Sequence, residues 1–240
     1  MHHNFLFDLD QTLLDFHASE RKALGIVLTA KGLSYSNEVY EHFKVYNKSL
    51  WLEFEKGMIS RTELFTMRFN EVIRKCGGDP ADFDALEINS EFINTMAKNG
   101  VLMEGSLDLV KRIKSDIPDS RIYIASNGVT LNAIGRIKST GLIDYLDGIF
   151  VSEDIGVSKP ASEFFDKCLE KIGEPKETCI MIGDSLTSDM LGAKNASITS
   201  VWFMPEGDIE KRMKEYDIDY TASSFDDIYE ILKKWSEVER

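Results

Sequence analysis

Asp8-Leu9-Asp10-Gln11-Thr12 places two carboxylates and a hydroxyl within five residues, directly after the apolar run Phe5-Leu6-Phe7. Such a run reads as a buried strand, so Asp8 emerges at its carboxyl end. Carboxylates crowded at the mouth of a sheet are costly unless a cation or a partner compensates them. A helix N-cap cluster is the plainer alternative for the same residues. The D-x-D spacing alone is weak, because it recurs at Asp82/Asp84 and Asp217/Asp219 in polar contexts that suit a solvated surface.

Three further elements share the logic of a strand end. Ile180-Met181-Ile182-Gly183 delivers Asp184, and Asp189 follows five positions later. Thr187 or Ser188 can cap a helix there, with Asp189 in its first turn. Small Gly192-Ala193 would let that helix pack close to the sheet. Ser126-Asn127-Gly128 follows Arg121-Ile122-Tyr123-Ile124-Ala125, and its hydroxyl and amide groups suit phosphate oxygens. Pro160 would open a helix at its first position and hold Lys159 extended in Ser158-Lys159-Pro160.

The elements that must position these groups alternate. Strand-like runs occur at Phe5 to Phe7, Arg121 to Ala125, Gly148 to Val151, Cys179 to Ile182 and Ser200 to Met204. Helical periodicity appears at Leu107, Val110, Ile113 and Ile117, at Phe164 to Ile172, and at Phe225 to Val238. Alternation of this kind means a mainly parallel sheet that presents ligands at the carboxyl ends of its strands. One connection is far longer than a usual βα loop of about 2–6 residues. Between Leu9 and Ser106 the chain reads as helices at Glu20 to Ala30, Glu38 to Phe54, Arg61 to Ile73 and Asp82 to Ala97. The economical organisation is a catalytic core of residues 1–15 and 98–240 carrying an all-helical cap at 16–97, placed to act as a lid. Gly77-Gly78-Asp79-Pro80 is a turn inside the cap, and Asn99-Gly100 its exit.

Composition narrows the partners. Twenty-eight Lys and Arg against 41 Asp and Glu give a formal charge of −13, which opposes binding of nucleic acid polymers or anionic membranes. A small anionic substrate stays possible if a local cation reverses the field. The 43% hydrophobic content suits a folded globular chain, and no apolar stretch is long enough to span a membrane. Cys76, Cys168 and Cys179 are scattered, and no signal peptide precedes the first strand. These features lead us to expect reduced thiols and a cytoplasmic protein of unspecified oligomeric state.

In order and context, the four elements resemble the haloacid dehalogenase superfamily over essentially the whole chain. Its motifs read here as Asp8-x-Asp10-x-Thr12, Ser126, Lys159 and Gly183-Asp184-x-x-x-x-Asp189. The resemblance implies an α/β fold with a Rossmann-like parallel sheet, helices on both faces and an inserted helical cap. Asp10 looks like the phosphatase branch, because the dehalogenating branch lacks that carboxylate; Gln11 departs from a glycine common in the family. Carried over, the motifs imply Asp8 as nucleophile and Asp10 as general acid and base, with Thr12 steadying the loop. Thr12, Ser126, Asn127 and Lys159 would form the phosphate site. Mg²⁺ would sit on Asp8, the Asp10 carbonyl and Asp184, with Asp189 holding a metal water or Lys159.

Selectivity is expected in the cap. Val39, Phe43, Tyr46, Leu50 and Phe54 form an apolar stripe, and Tyr40, Lys44, Asn47 and Trp51 lie one step around. Asn47 and Trp51 could read and stack on a base, or Trp51 could simply widen the apolar face. Asn47-x-x-Leu50-Trp51, Arg68-Phe69, Ser126-Asn127-Gly128 and Val151-Ser152-Glu153-Asp154 are similar to the pyrimidine 5′-nucleotidase members. The resemblance therefore implies a Mg²⁺-dependent 5′-nucleotidase for pyrimidine nucleoside monophosphates, including non-standard ones. The alternatives are a sugar phosphate or phosphoglycolate phosphatase, a phosphomutase, or a catalytically silent scaffold. His17 follows the first motif and reads as an exposed helix-start residue; His42 shows no ligand pattern.

Overall fold

A computed structural model describes residues 2–55, 57–204 and 207–237, with backbone only at Glu55. The chain divides into two compact units, Met1–Phe16 with Gly100–Arg240, and His17–Asn99. Among the described residues no helix is long and apolar enough to cross a membrane.

The first unit is built on one parallel sheet. Its strands are β1 (His3–Phe7), β2 (Ser120–Ser126), β3 (Gly148–Val151), β4 (Cys179–Gly183), β5 (Thr199–Phe203) and β6 (Tyr220–Ala222). They run in the order β3-β2-β1-β4-β5-β6. The order in which strands are added switches from one side of β1 to the other between β3 and β4, so β1 and β4 flank the point where a doubly wound sheet opens its ligand crevice. Phe5 pairs with Ile122 on one side and Ile180 on the other, so β1 is central.

Both faces are covered, which is why the strands read as unbroken apolar runs. Phe5, Phe7, Ile122, Ile124, Ile180 and Ile182 face α5 (Ser106–Asp116), α6 (Thr130–Thr140) and α11 (Phe225–Ser236). Alternate residues Leu6, Tyr123, Ala125 and Met181 face α8 (Ser162–Ile172), through Phe164, Phe165 and Cys168. α7 (Ser152–Ile155), α9 (Leu191–Ala196) and α10 (Ile209–Tyr216) complete the unit.

Two differences from the sequence reading have simple causes. β6 is only three residues long and carries a single buried side chain, Ala222, so it has no apolar run to announce it. The Asp217/Asp219 pair is not merely solvated: Asp219 Oδ2 accepts from the Ser200 backbone N–H at 2.8 Å and ties the segment before β6 to β5.

The second unit contains α1 (Phe16–Ala30, its first residue belonging to the other unit), α2 (Asn37–Glu55), α3 (Arg61–Lys75) and α4 (Ala85–Lys98). α3 opens with a reciprocal capping box between Ser60 and Glu63. Asp84, the second residue of the Asp82/Asp84 pair, caps α4 by accepting from the Leu86 and Glu87 amides. Phe43, Phe69 and Phe92 meet with ring centroids 5.6–6.0 Å apart. The buried face of α2 is Val39, Tyr40, Phe43, Asn47 and Leu50, with Tyr46 half-buried instead. A polar network turns the helix toward Tyr40 and Asn47. Arg68 donates to Asn47 Oδ1 and Asn89 Oδ1, and Tyr40 donates to Glu20 Oε2 at 3.2 Å.

Candidate active site

Asp8 is the first residue beyond β1, and its N–H donates to Ile182 O on β4 at 2.8 Å. The backbone of the central strand therefore fixes the carboxylate at the switch point. Lys159, only 4% exposed, reaches it from the segment after α7. Its Nζ donates to Asp8 Oδ1 at 2.7 Å, Asp189 Oδ1 at 2.6 Å and Ala125 O at 2.5 Å. Three acceptors satisfy the three donors of an ammonium.

The loop after Asp8 contains a backbone surprise. Gln11 adopts φ +60°, the left-handed region that glycine occupies without penalty. Its side chain compensates locally, since Oε1 accepts from the Phe16 N–H at 2.8 Å. Thr12 is fully buried, and its Oγ1 makes no hydrogen bond among the described residues. Backbone bonds from Gln11, Leu13 and Leu14 hold the loop.

After β4, Ser185 rather than Thr187 or Ser188 supplies the cap, accepting from the Ser188 N–H at 3.2 Å. The turn that follows, Leu186–Met190, is π-helical and precedes α9. This wide turn sets Asp189 inward and fully buried, where Oδ2 accepts from the Ser185 N–H at 3.1 Å. Gly183 makes the approach possible, because a Cβ there would lie 2.3 Å from Asp189 Oδ2. Gly192 serves a different contact from the one expected: a Cβ there would meet Phe165 of α8 at 2.6 Å, not the sheet.

Ser126 closes β2, and its Oγ accepts from the Gly128 N–H at 3.1 Å. Asn127 faces Lys159 as one peptide faces another. Its Nδ2 donates to Lys159 O at 2.9 Å, and its Oδ1 accepts from Lys159 N at 2.8 Å. Pro160 stands two residues before α8, whose N-cap is Ala161, so it does not occupy the first helical position.

Arg136, which the sequence reading missed, belongs to this site. It is 1% exposed on α6, and its two Nη atoms donate to the two carboxylate oxygens of Asp10. The available signal was an arginine at i+3 from Ala133 and beside Ile137, on the buried side of an amphipathic helix.

Asp8, Asp184 and Asp189 each offer an oxygen within 4.8 Å of the others. Burial pushes the Asp8 carboxyl up, against the pull of Lys159 and with Asp189 adding to the rise. Burial and Asp189 push Asp184 up to about 6. Burial also opposes the charge on Lys159, but the Asp189 and Asp8 carboxylates hold its pKa above the usual lysine value. The short contacts at Nζ favour a cationic lysine between carboxylates over a neutral pair. Asp8, Asp10, Asp184 and Asp189 against Lys159 and Arg136 leave four minus two, a formal −2 when ionised. All-oxygen donors with that excess fit a hard divalent cation such as Mg²⁺. A cavity of about 500 Å³ borders Asp184, lined also by Gln11, Thr187, Trp202 and Arg212.

The sequence profile of the haloacid dehalogenase-like hydrolases matches residues 3–197. The chain belongs to this family. Among relatives of this hydrolase, the pyrimidine 5′-nucleotidase PynA of Streptococcus pneumoniae is 33% identical over 95% of this chain and 94% of its own. The pyrimidine 5′-nucleotidase YjjG of Escherichia coli is 30% identical over 84% and 88%. The magnesium-bound crystal structure of YfnB from Bacillus subtilis superposes with a TM-score of 0.80 at 29% identity, covering 96% and 98% of the two chains.

Within the hydrolase's helical unit, Asn47 is buried with its Oδ1 turned to Arg68 at 3.3 Å. Trp51 is half-buried and packs edge-on against Phe54, centroids 5.7 Å apart. His17 is half-buried rather than exposed, and its carbonyl accepts from Tyr40 Oη at 3.1 Å. His42 pairs with Glu71 at 2.9 Å. All three cysteines are free thiols.

Proposed function

We propose that this hydrolase cleaves phosphate monoesters with Mg²⁺ through an aspartyl-phosphate, and that its substrates are pyrimidine nucleoside 5′-monophosphates, including non-standard ones. The observation that supports the chemistry best is the Lys159 ammonium set between Asp8 and Asp189 at the β1–β4 switch point, with Asp184 alongside. The substrate class is supported by the two relatives named pyrimidine 5′-nucleotidases over most of the chain.

Asp8 and Asp184, with the Asp10 carbonyl, would hold the cation. When bound, it neutralises charge on the nucleophile and on the phosphoryl oxygens. Asp8 attacks phosphorus, the bond from phosphorus to the ester oxygen breaks, and Asp10 delivers a proton to that oxygen. Asp10 then accepts a proton from the water that attacks phosphorus, and the bond to Asp8 breaks to release phosphate. Lys159 offsets charge on Asp8 and the transferring group, while the Ser126 hydroxyl and the Asn127 backbone N–H offer donors to its oxygens. Asp189 holds Lys159 in place. Asn47 and Trp51 contribute to substrate selection.

A panel of monophosphates tests the proposal: UMP, dTMP, 5-halogenated deoxyuridylates, GMP and sugar phosphates, with phosphate release as the readout. Turnover should be fastest on the pyrimidine nucleotides, vanish in EDTA, and fall by more than about 10³-fold in Asp8→Asn. Equal or better rates on sugar phosphates would remove the nucleotidase assignment and leave the phosphatase. No release from any member with Mg²⁺ present would remove both.

A further inference from the structure

Arg136 is a charged side chain placed where charge is expensive. An arginine removed from water costs several kcal/mol unless its partner is well oriented. Here the partner is Asp10, and the contact is a fork: one Nη donates to Oδ1 and the other to Oδ2. Such pairing fixes the plane of a carboxylate, which a single hydrogen bond does not. It uses one acceptor direction on each oxygen and leaves the other available. The Asp10 side chain keeps 30% of its surface exposed, so part of it is open to a ligand.

The same residue is anchored at the two points where the chain leaves and re-enters this unit. Its guanidinium lies 5.4 Å from the Phe16 ring centroid. Its carbonyl lies against Gly100, where a Cβ would come within 2.6 Å of it. Ser139 and Thr140 hydroxyls donate to that carbonyl, and the Gly100 N–H donates to Ser139 Oγ. A fork held this firmly orients what it grips.

We propose that Arg136 is a positioning residue that holds the Asp10 carboxylate in the orientation for proton transfer at the leaving-group oxygen. This rests on the acid–base role of Asp10 given above. Its consequence is selective. A nucleoside leaving group needs the proton, whereas p-nitrophenolate departs without one.

The test compares first-turnover release of the leaving group from dTMP and from p-nitrophenyl phosphate, in the wild type, R136K, R136A and D10N. Lysine keeps the charge but cannot form the fork. R136K and R136A should both lose about ten-fold or more on dTMP, and at most about three-fold on p-nitrophenyl phosphate; general acid catalysis is worth about 10²–10⁴. D10N should show the same selectivity in stronger form. Equal losses on the two substrates in R136K, with or without a lowered melting temperature, would assign Arg136 a structural role and overturn the proposal. So would full recovery of dTMP cleavage by R136K, because charge alone would then suffice. A D10N variant without leaving-group selectivity would overturn the acid–base role itself, independently of Arg136.

Discussion

Without Lys159, the Asp8 and Asp189 carboxylates would face each other across a nearly dry gap. Breaking a buried ion pair by deleting one partner costs about 3–5 kcal/mol. Lys159→Met should therefore lower the free energy of unfolding by about that amount at neutral pH, and Mg²⁺ should restore part of it. Urea denaturation with and without Mg²⁺ measures both effects; an unchanged midpoint would show that the ammonium carries no net stabilisation. At this scale the sequence was readable wherever a polar residue follows an apolar run. Asp8, Ser126 and Asp184 all do so, and the structure sets each at the end of its strand. Arg136 was not readable in that way, because it meets Asp10 from 126 positions along the chain on a helix of its own. Its pairing is a product of tertiary packing, and local pattern does not carry it.

Between β4 and α9 the important element is the π-helical turn, which rotates Asp189 into the interior toward Lys159. Gly183→Ala tests how closely that turn is fitted. The added methyl must displace the Asp189 carboxylate, since its nearest atoms lie 2.3–2.8 Å away. A loss of about 1–3 kcal/mol in stability is expected, as for overpacking elsewhere, together with a fall in turnover. Differential scanning calorimetry and steady-state rates check the pair; a native melting temperature would mean that the turn yields freely. The turn itself was invisible beforehand, because Ser185, Thr187 and Ser188 are all acceptable caps and only the packing of Asp189 selects the first. Helix α2 gives the same lesson. Its apolar spacing located the helix, yet the buried polar partners Arg68 and Glu20 rotated its inward face to Tyr40 and Asn47.

For the molecule as a whole, the excess acidity couples stability to pH and to divalent cations. In the folded chain Asp184 lies above the ordinary value of 3.8, at about 6, chiefly through burial. Folded-state pKa values that are raised mean that the native state binds protons more tightly than the unfolded chain. For Asp184 that stabilising contribution is complete below the unfolded value and is lost as pH rises through about 6. Metal binding requires the ionised carboxylates, so its stabilisation grows in the same direction. The increase in melting temperature on adding Mg²⁺ should therefore be larger at about pH 8 than at about pH 5.5, and absent in Asp184→Asn. A pH-independent increment would place the cation elsewhere. The parallel architecture was legible from strand and helix alternation because both sheet faces are buried, which kept a continuous apolar run in each of the five longer strands; β6 lacks that signature.

The chain's two Asn-Gly junctions, Asn99-Gly100 and Asn127-Gly128, bear on its chemical lifetime. Asn-Gly is the dipeptide that most readily cyclises to a succinimide, when the glycine nitrogen attacks the asparagine side-chain carbonyl. At both junctions that nitrogen is already donating to a serine hydroxyl, Ser139 in one case and Ser126 in the other. Both asparagine amides are also committed, to Thr95 O and Lys159 O at 2.8 and 2.9 Å. The folded protein thus restrains both partners of the ageing reaction at each junction. Deamidation at Asn127 would also replace an amide by a carboxylate beside Lys159, removing the donor that the Lys159 carbonyl accepts from.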